Sequence, residues 1–372
     1  MLIEHFNYVS DPIRLEKYKA AIRKVQNPGD RVADLGCGSG ILGLLCLRAG
    51  ADFVYAIDSS GIIEVARESF ARNGLGEKVL FINHQSQQVV LPEQVDLLIC
   101  DHIGYFGFDY GIVGLLGDAR RRFLKSGGTL IPSGLKLQLA GVESEKCHEL
   151  VESWRSENVP AEYHWLTNYW INTKHAVKLL GQELLCEPAS LGYIDLYQDN
   201  PDFFSWDTDL HIARDGIMHG LGGWFECELG DGIWMTNSPL ADQPVQRPQA
   251  IFPIGEPVSV KAGDCVKATI MARPSDNLIA WSVEFLVDGR RFNHSTWQGM
   301  ALGPEEIIRA NPNRVPQLSL RGKARMTILS YCDGRRTVRE IEQEVLSNHP
   351  HLFPSSGEIS RFVANVLGKD TE

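Results

Sequence analysis

The chain has 372 residues and a formal net charge of −11, with 44% hydrophobic and 22% charged residues. That length exceeds one ordinary core, so two or three domains are expected, and the apolar content excludes a disordered polymer. The acidic balance argues against a general polyanion binder, and no apolar run reaches the length of a membrane span.

The first residues, Met1 to Phe6, lack the charged and apolar regions of a signal peptide. The 8 cysteines contain no Cys-x-x-Cys pair. A disulfide framework and a metal cluster are therefore not expected, and a reducing, cytoplasmic location is. Residues 15–26 read as an amphipathic helix with Leu15, Tyr18, Ala21 and Ile22 on one face, ended by Asn27-Pro28-Gly29-Asp30. A short strand, Arg31 to Leu35, runs into the glycine turn Gly36-Cys37-Gly38-Ser39-Gly40, and a helix follows over Ile41–Ala49. Phe53–Asp58 is a second strand and Ile62–Asn73 a second helix. Val79–Ile82 and Val95–Cys100 are nearly continuous apolar runs, as in a parallel sheet covered on both faces. The alternation predicts a doubly wound α/β domain over residues 1–133.

Beyond Pro132 the pattern changes to alternating strands: Leu135–Gly141, Gly222–Leu229, Ile233–Thr236, Cys265–Ala272 and Ala280–Val287. This predicts an antiparallel β-barrel or sandwich over residues 134–300. Between Cys147 and Leu210 lies an aromatic cluster, Trp154, Trp165, Tyr169 and Trp170, expected to be buried surface. A third unit, 301–372, has candidate helices at Glu305–Ala310, Lys323–Tyr331, Val338–Ser347 with Thr337 as N-cap, and Glu358–Leu367 capped by Ser356. Between Ile307 and Arg339, basic residues (Arg309, Arg314, Arg321, Lys323, Arg325, Arg335, Arg336, Arg339) face a single acid, Asp333. By charge alone this is a solvated basic face.

A strand, a glycine turn and a helix put backbone N–H groups at a helix N-terminus, where glycines let a ligand approach the backbone. Asp58 at the end of the second strand suits the hydroxyls of a ribose. A dinucleotide pyrophosphate would be repelled by Asp34, just before the first glycine. That acid suits the cationic end of S-adenosylmethionine (SAM), which is the expected cofactor.

At these motifs the sequence resembles the protein arginine methyltransferases, class I SAM-dependent enzymes, over roughly residues 5–290. The resemblance rests on Asp11-Pro12-Ile13-Arg14, the run Val32 to Leu42 around the glycine turn, Tyr55-Ala56-Ile57-Asp58, Ser86-Gln87-Gln88, Leu124 to Pro132, and the barrel motifs His219 to Phe225, Phe252-Pro253-Ile254 and Trp281-Ser282-Val283-Glu284. It implies a cofactor site made of Arg14, Asp34, Gly36, Cys37, Gly38, Gly40, Asp58, Ser59, Ser86, Gln87 and Asp101, and a homodimer. The family's catalytic loop carries two glutamates that clamp a guanidinium. Here the loop is Cys100 to Tyr110, with Asp101 at the first position and Tyr110, beside Asp109, at the second. The family's Thr-His-Trp becomes Val245-Gln246-Arg247. Methyl transfer needs chiefly a nucleophile aligned behind the S–CH3 bond. Asp101 is expected to orient the acceptor or take its proton, Tyr105, Asp109 and Tyr110 to shape the acceptor pocket, and His102 is a candidate base.

Residues Leu318–Leu367 resemble the PqqD-like peptide-binding domain, a winged-helix-like fold, through Asp333-Gly334-Arg335-Arg336-Thr337-Val338-Arg339-Glu340-Ile341 and Val363 to Leu367. That implies capture of a precursor-peptide leader, by adding it as a strand to a small sheet, at about residues 318–367. The expected activity is N-methylation of a side-chain nitrogen (amide or guanidinium) in such a ribosomally made peptide, with neither nucleic acid nor membrane as partner. The alternatives are a protein arginine N-methyltransferase and a catalytically silent SAM-binding partner subunit.

Overall fold

The computed structural model describes residues 2–300, 315–352 and 356–371, and the chain divides into two compact units, 1–300 and 301–372. The helix expected over Glu305–Ala310, with Arg309 and Arg314, lies outside the described residues.

The first unit opens with helices α1 (Leu2–Ser10) and α2 (Pro12–Val25). Asp11 caps α2, its carboxylate accepting from the N–H groups of Ile13 and Arg14 at 3.1 Å each, and Pro12 occupies the first turn, where a missing N–H costs nothing. The helix buries Arg14, Tyr18, Ala21 and Ile22, one face at helical spacing.

Then come β1 (Arg31–Leu35), α3 (Ile41–Arg48), β2 (Phe53–Ile57), α4 (Ile63–Arg72), β3 (Val79–Ile82), β4 (Val95–Cys100), α5 (Ile112–Phe123) and β5 (Leu124–Ile131). The five strands form one parallel sheet in the order β3-β2-β1-β4-β5. The chain winds outward from β1 to β3, then crosses back to β4 beside β1. The crevice at the carboxyl ends of β1 and β4 is therefore the topological switch point, where open α/β sheets bind ligands. Leu35 hands over to the glycine turn there, and Cys100 pairs with Leu35 and hands over to Asp101.

The second half of the unit holds two antiparallel sheets. One contains β6 (Gly134–Val142), β7 (His175–Val177), β8 (Ala189–Asp195), β10 (Gly216–Gly230), β11 (Ile233–Thr236) and β12 (Gln249–Val260), ordered β7-β12-β10-β6-β8 with β11 on β10. The other contains β9 (Phe204–His211), β13 (Cys265–Arg273), β14 (Leu278–Phe285) and β15 (Arg291–Ser295), ordered β15-β14-β13-β9. No ladder joins the two sheets among the described residues, so the layout is two-sheeted rather than one closed hydrogen-bonded barrel. Trp224, Phe225, Phe252, Trp281 and Phe285 fill its core.

The aromatic segment between Cys147 and Leu210 holds α6 (Glu145–Glu152, starting just before Cys147), α7 (Thr167–Trp170), β7, β8 and β9. It is less buried than expected: Tyr163 is 54% exposed and Trp165 50%.

In the second unit, α8 (Leu320–Ser330), α9 (Val338–Asn348) and α10 (Ser356–Asp370) pack around Ile328, Ile341, Val345, Ile359, Val363 and Val366. The helix α10 begins at Ser356 rather than after it. The described residues of this unit hold helices and no strand, so the sheet that a leader would extend is not among them. Local structure accounts for much of the Asp333–Ile341 motif. Asp333 accepts from the Arg335 and Arg336 N–H groups, Gly334 adopts φ +72°, Thr337 and Glu340 form a capping box, and Ile341 enters the core.

Candidate functional site

Two cavities of about 580 and 490 Å³ meet at the switch point, sharing Gly36, Asp58, His102, Tyr110 and Gly111 in their walls. The larger runs over Arg14, Cys37, Gly38 and Asp101; the smaller continues past Ser59 to Ser86, Gln87 and Asp118. Together they make one groove lined by polar and apolar groups, of the kind that takes an amino-acid end, a ribose and an adenine.

The glycine turn is a cradle that side chains would fill. Gly36, Gly38 and Gly40 have φ of +63°, +53° and +79°, and a Cβ on Gly36 would lie 1.9 Å from the His102 ring. Gly40 faces away from the groove and packs on Ala66 and Phe70 of α4. Asp58 accepts the Gly38 N–H at 2.8 Å and the N–H and hydroxyl of Ser60 at 2.8 and 2.6 Å. These bonds hold its carboxylate at the groove. The Ser86 end is pinned from behind by Arg122, which donates to the Ser86 and Val89 carbonyls at 2.7 Å each.

Asp34 departs from expectation. It does not line the groove; it is buried behind the turn, accepting the Gly43 N–H of α3 at 2.8 Å, while its Oδ1 has no partner. Burial pushes its carboxyl up to about 7, so it braces the turn instead of meeting a cofactor's cationic end.

Asp101 sits in a charged knot. Its Oδ2 receives Arg14 Nε at 2.6 Å, Arg14 Nη2 at 2.6 Å and Arg247 Nη2 at 3.5 Å, and its Oδ1 receives the Tyr18 hydroxyl at 3.0 Å. The side chain is 8% exposed. Burial pushes its carboxyl up, but the two guanidiniums outweigh that and hold it below the usual carboxylate range. Arg247 also donates to the Ile103 carbonyl and lies over the rings of Tyr8 and Phe225. Arg14 reaches the Tyr8 carbonyl at 2.7 Å.

The loop after β4 is held by the second half of the unit. Phe106 packs edge-on against Phe252 at 5.1 Å, Phe108 approaches Trp206, and Asn237 donates to the Tyr105 carbonyl at 2.9 Å. The Asp109 carboxylate accepts from the N–H groups of Tyr105 and Phe106 and pairs with Lys174. It borders the larger cavity, yet Lys174 already neutralises its charge, so it is not a free second carboxylate for a clamp. Tyr110 walls both cavities, and burial, then the Tyr105 hydroxyl, pushes its phenol up. Tyr105 lies behind Tyr110, ring edge to ring at 5.7 Å, outside the cavity walls. Sequence reasoning missed His5, Tyr8, Lys174 and the β13–β14 turn (Pro274, Ser275, Asn277), all of which border or support the groove. Only their position in space identifies them. Arg247 was visible only as a departure from the Thr-His-Trp motif.

Residues 18–170 match the profile of the ribosomal protein L11 methyltransferases, and residues 136–285 that of the arginine methyltransferase oligomerization subdomain. The probable protein arginine N-methyltransferase 6 of Arabidopsis thaliana is 29% identical over 234 residues, 60% of this chain and 54% of the relative. Protein arginine N-methyltransferase 1 of Schizosaccharomyces pombe is 27% identical over 292 residues, covering 73% and 82%. This chain thus spans about half of the Arabidopsis relative and most of the yeast one. The chain is thus similar to protein arginine methyltransferases, and S-adenosylmethionine is its cofactor. Two solved structures share the fold. The Trypanosoma brucei PRMT1 enzyme–prozyme heterotetrameric complex with AdoHcy superposes with a TM-score of 0.70 at 19% identity, covering 78% of this chain and 96% of the other. Arabidopsis thaliana protein arginine methyltransferase 10 gives 0.68 at 21%, covering 80% and 98%. Neither profile reaches past residue 285, so the second unit has no counterpart in them. Among the described residues no helix is long and apolar enough to cross a membrane.

Proposed function

We propose that this protein transfers the methyl group of SAM to a side-chain nitrogen of a polypeptide. The observation that supports it best is the continuous groove that joins Arg14 and the glycine turn to Asp58 and on to Ser86 and Gln87. In that groove Arg14 would face the carboxylate of SAM, Asp58 its ribose hydroxyls, and Ser86 and Gln87 its adenine. SAM supplies an activated methyl group. The acceptor nitrogen's lone pair forms the new N–CH3 bond, the S–CH3 bond breaks, and its electron pair stays on sulfur. Rate then depends on alignment, which Tyr110 and His102 at the junction of the cavities would provide.

The relatives' names, protein arginine N-methyltransferases, favour a protein substrate and arginine as its acceptor residue. A second reading makes the substrate a precursor peptide whose leader docks on a PqqD-like C-terminal unit. It is favoured by a cavity of about 470 Å³ in that unit, bordered by Leu320, Arg321, Leu352, Arg361 and Phe362, with one acid, Glu358, among its walls. Leu320, Leu352 and Phe362 with a net positive charge (two arginines against one glutamate) suit an acidic, amphipathic segment. A homodimer and a cytoplasmic location belong to both readings.

The test is incubation of the full chain with SAM and either arginine-rich protein or candidate precursor peptide, read by mass spectrometry. A mass gain of one CH2 on a side-chain nitrogen is expected. SAM binding by calorimetry without transfer to any polypeptide would instead make the protein a silent partner subunit.

A further inference from the structure

Each carboxylate at the acceptor end of the groove already has a cation from the chain itself. Asp101 is paired with Arg14 at 2.6 Å and Arg247 at 3.5 Å, and Asp109 with Lys174. These three cations are nearly as buried as their partners, with side-chain exposures of 5%, 8% and 14%. Asp101 also accepts the Tyr18 hydroxyl, and Asp109 the N–H groups of Tyr105 and Phe106. Asp118, at the far end, is held by Arg122. Asp58, the one groove carboxylate without an ion pair among the described residues, lies at the ribose position and binds Gly38 and Ser60.

We propose that Arg247 makes this site selective for an uncharged side-chain nitrogen, a carboxamide or an imidazole, over a protonated guanidinium. The inference rests on the methyl-transfer reading and names its acceptor class. Bound SAM brings a sulfonium, a further positive charge. A guanidinium entering beside it would meet Arg14 in the groove wall and no carboxylate at the acceptor end without a cation, since Arg247 and Lys174, from outside the walls, already neutralise Asp101 and Asp109; its charge would be left unpaired. Displacing Arg247 does not relieve this, because Arg247 would then lose Asp101 and the Ile103 carbonyl together. An uncharged nitrogen carries no such cost. On attack its lone pair forms the N–CH3 bond, the sulfur keeps the electrons of the broken S–CH3 bond, and the proton shed by nitrogen passes to His102, which borders both cavities.

The experiment uses the full chain and its Arg247→Met and Arg247→Lys variants. Each is given SAM and two matched peptide sets, one whose only side-chain nitrogens are in arginine, the other in Asn, Gln and His. The wild type is expected to favour the uncharged set by at least about tenfold. Arg247→Met should narrow or invert that ratio, and Arg247→Lys, which keeps the charge, should preserve it. Faster transfer to arginine in the wild type, or an unmoved ratio in Arg247→Met, overturns the inference while leaving methyl transfer standing. Transfer to neither set overturns the methyl-transfer reading instead. The specificity of the site is then decided by calorimetry with methylguanidinium in the presence of S-adenosylhomocysteine. Wild-type binding as tight as that of Arg247→Met overturns the inference, and binding gained only in Arg247→Met supports it. If Arg247→Met fails to fold, Arg247→Gln, which also removes the charge, takes its place with the same two outcomes.

Discussion

At the end of β1 the carboxyl of Asp34 is pushed up to about 7, first by burial, with the Gly43 N–H relieving it only in part. The fold therefore favours the neutral acid. Its stabilising contribution is complete below the ordinary carboxylate pKa and is lost as pH rises through about 7. The unpartnered Oδ1 gives the physical reason, since an ionised carboxylate there keeps one oxygen without a donor. Asp34→Asn removes the titration and keeps an oxygen for Gly43. Its stability relative to wild type is expected to improve by on the order of 2–4 kcal/mol between about pH 5 and pH 8. Thermal unfolding of both proteins across that range measures it, and a gap that stays constant with pH rules out the protonated-brace account.

Among the elements, the loop from β4 to α5 links the two halves of the first unit. Phe106 is fully buried, stacked edge-on against Phe108 and Phe252, and its N–H holds Asp109. Phe106→Ala is expected to cost about 3–5 kcal/mol. It should lower the methyl-transfer rate far more than SAM affinity, because the turn after β1, Asp58 and the Ser86 segment build most of the cofactor end, whereas Phe106 packs on Phe108 and Phe252. Stopped-time transfer assays beside calorimetry separate the two, and equal losses in both would show that the loop serves only folding. The same element shows what the sequence discloses. Strand β4 was legible because burial on both faces leaves a nearly continuous apolar run, and the cofactor turn because its glycines are local requirements of backbone geometry. The helix α5 was not read, since Gly111, Gly114 and Gly117 interrupt its pattern while its core face, Ile112, Val113, Leu116 and Ala119, stays buried. Arg247, Lys174 and Asn237 reach the site from strands and loops far along the chain, and no local pattern marks a residue whose role is set by a distant partner. The pairing of Asp109 was hidden for the same reason, because its partner Lys174 lies 65 residues away.

For the whole molecule, each unit has its own hydrophobic core, the larger spanning Tyr18 to Phe285 and the smaller Ile328 to Val366. Among the described residues, none bordering the SAM groove comes from beyond Asn277. The chain ended after Met300 is therefore expected to fold and to bind SAM with its affinity changed by no more than about twofold, within the independence expected of separate cores. If the second unit recruits the substrate, the loss appears elsewhere. A substrate tethered through one segment meets the catalytic groove at an effective concentration set by the linker, so removing the tether should raise KM for a leader-bearing peptide by about 10²–10⁴-fold. The turnover number at saturation should stay near that of the full chain, since the groove is intact. A peptide without the leader should be methylated equally by both proteins. Steady-state kinetics on the two peptides with the two chain lengths gives four KM values, and only the pairing of leader with second unit should stand apart. A KM that moves equally for both peptides would mean that the second unit supports the groove rather than the substrate. The Asp333–Ile341 motif would then be left with the local roles seen in its capping box and core residue.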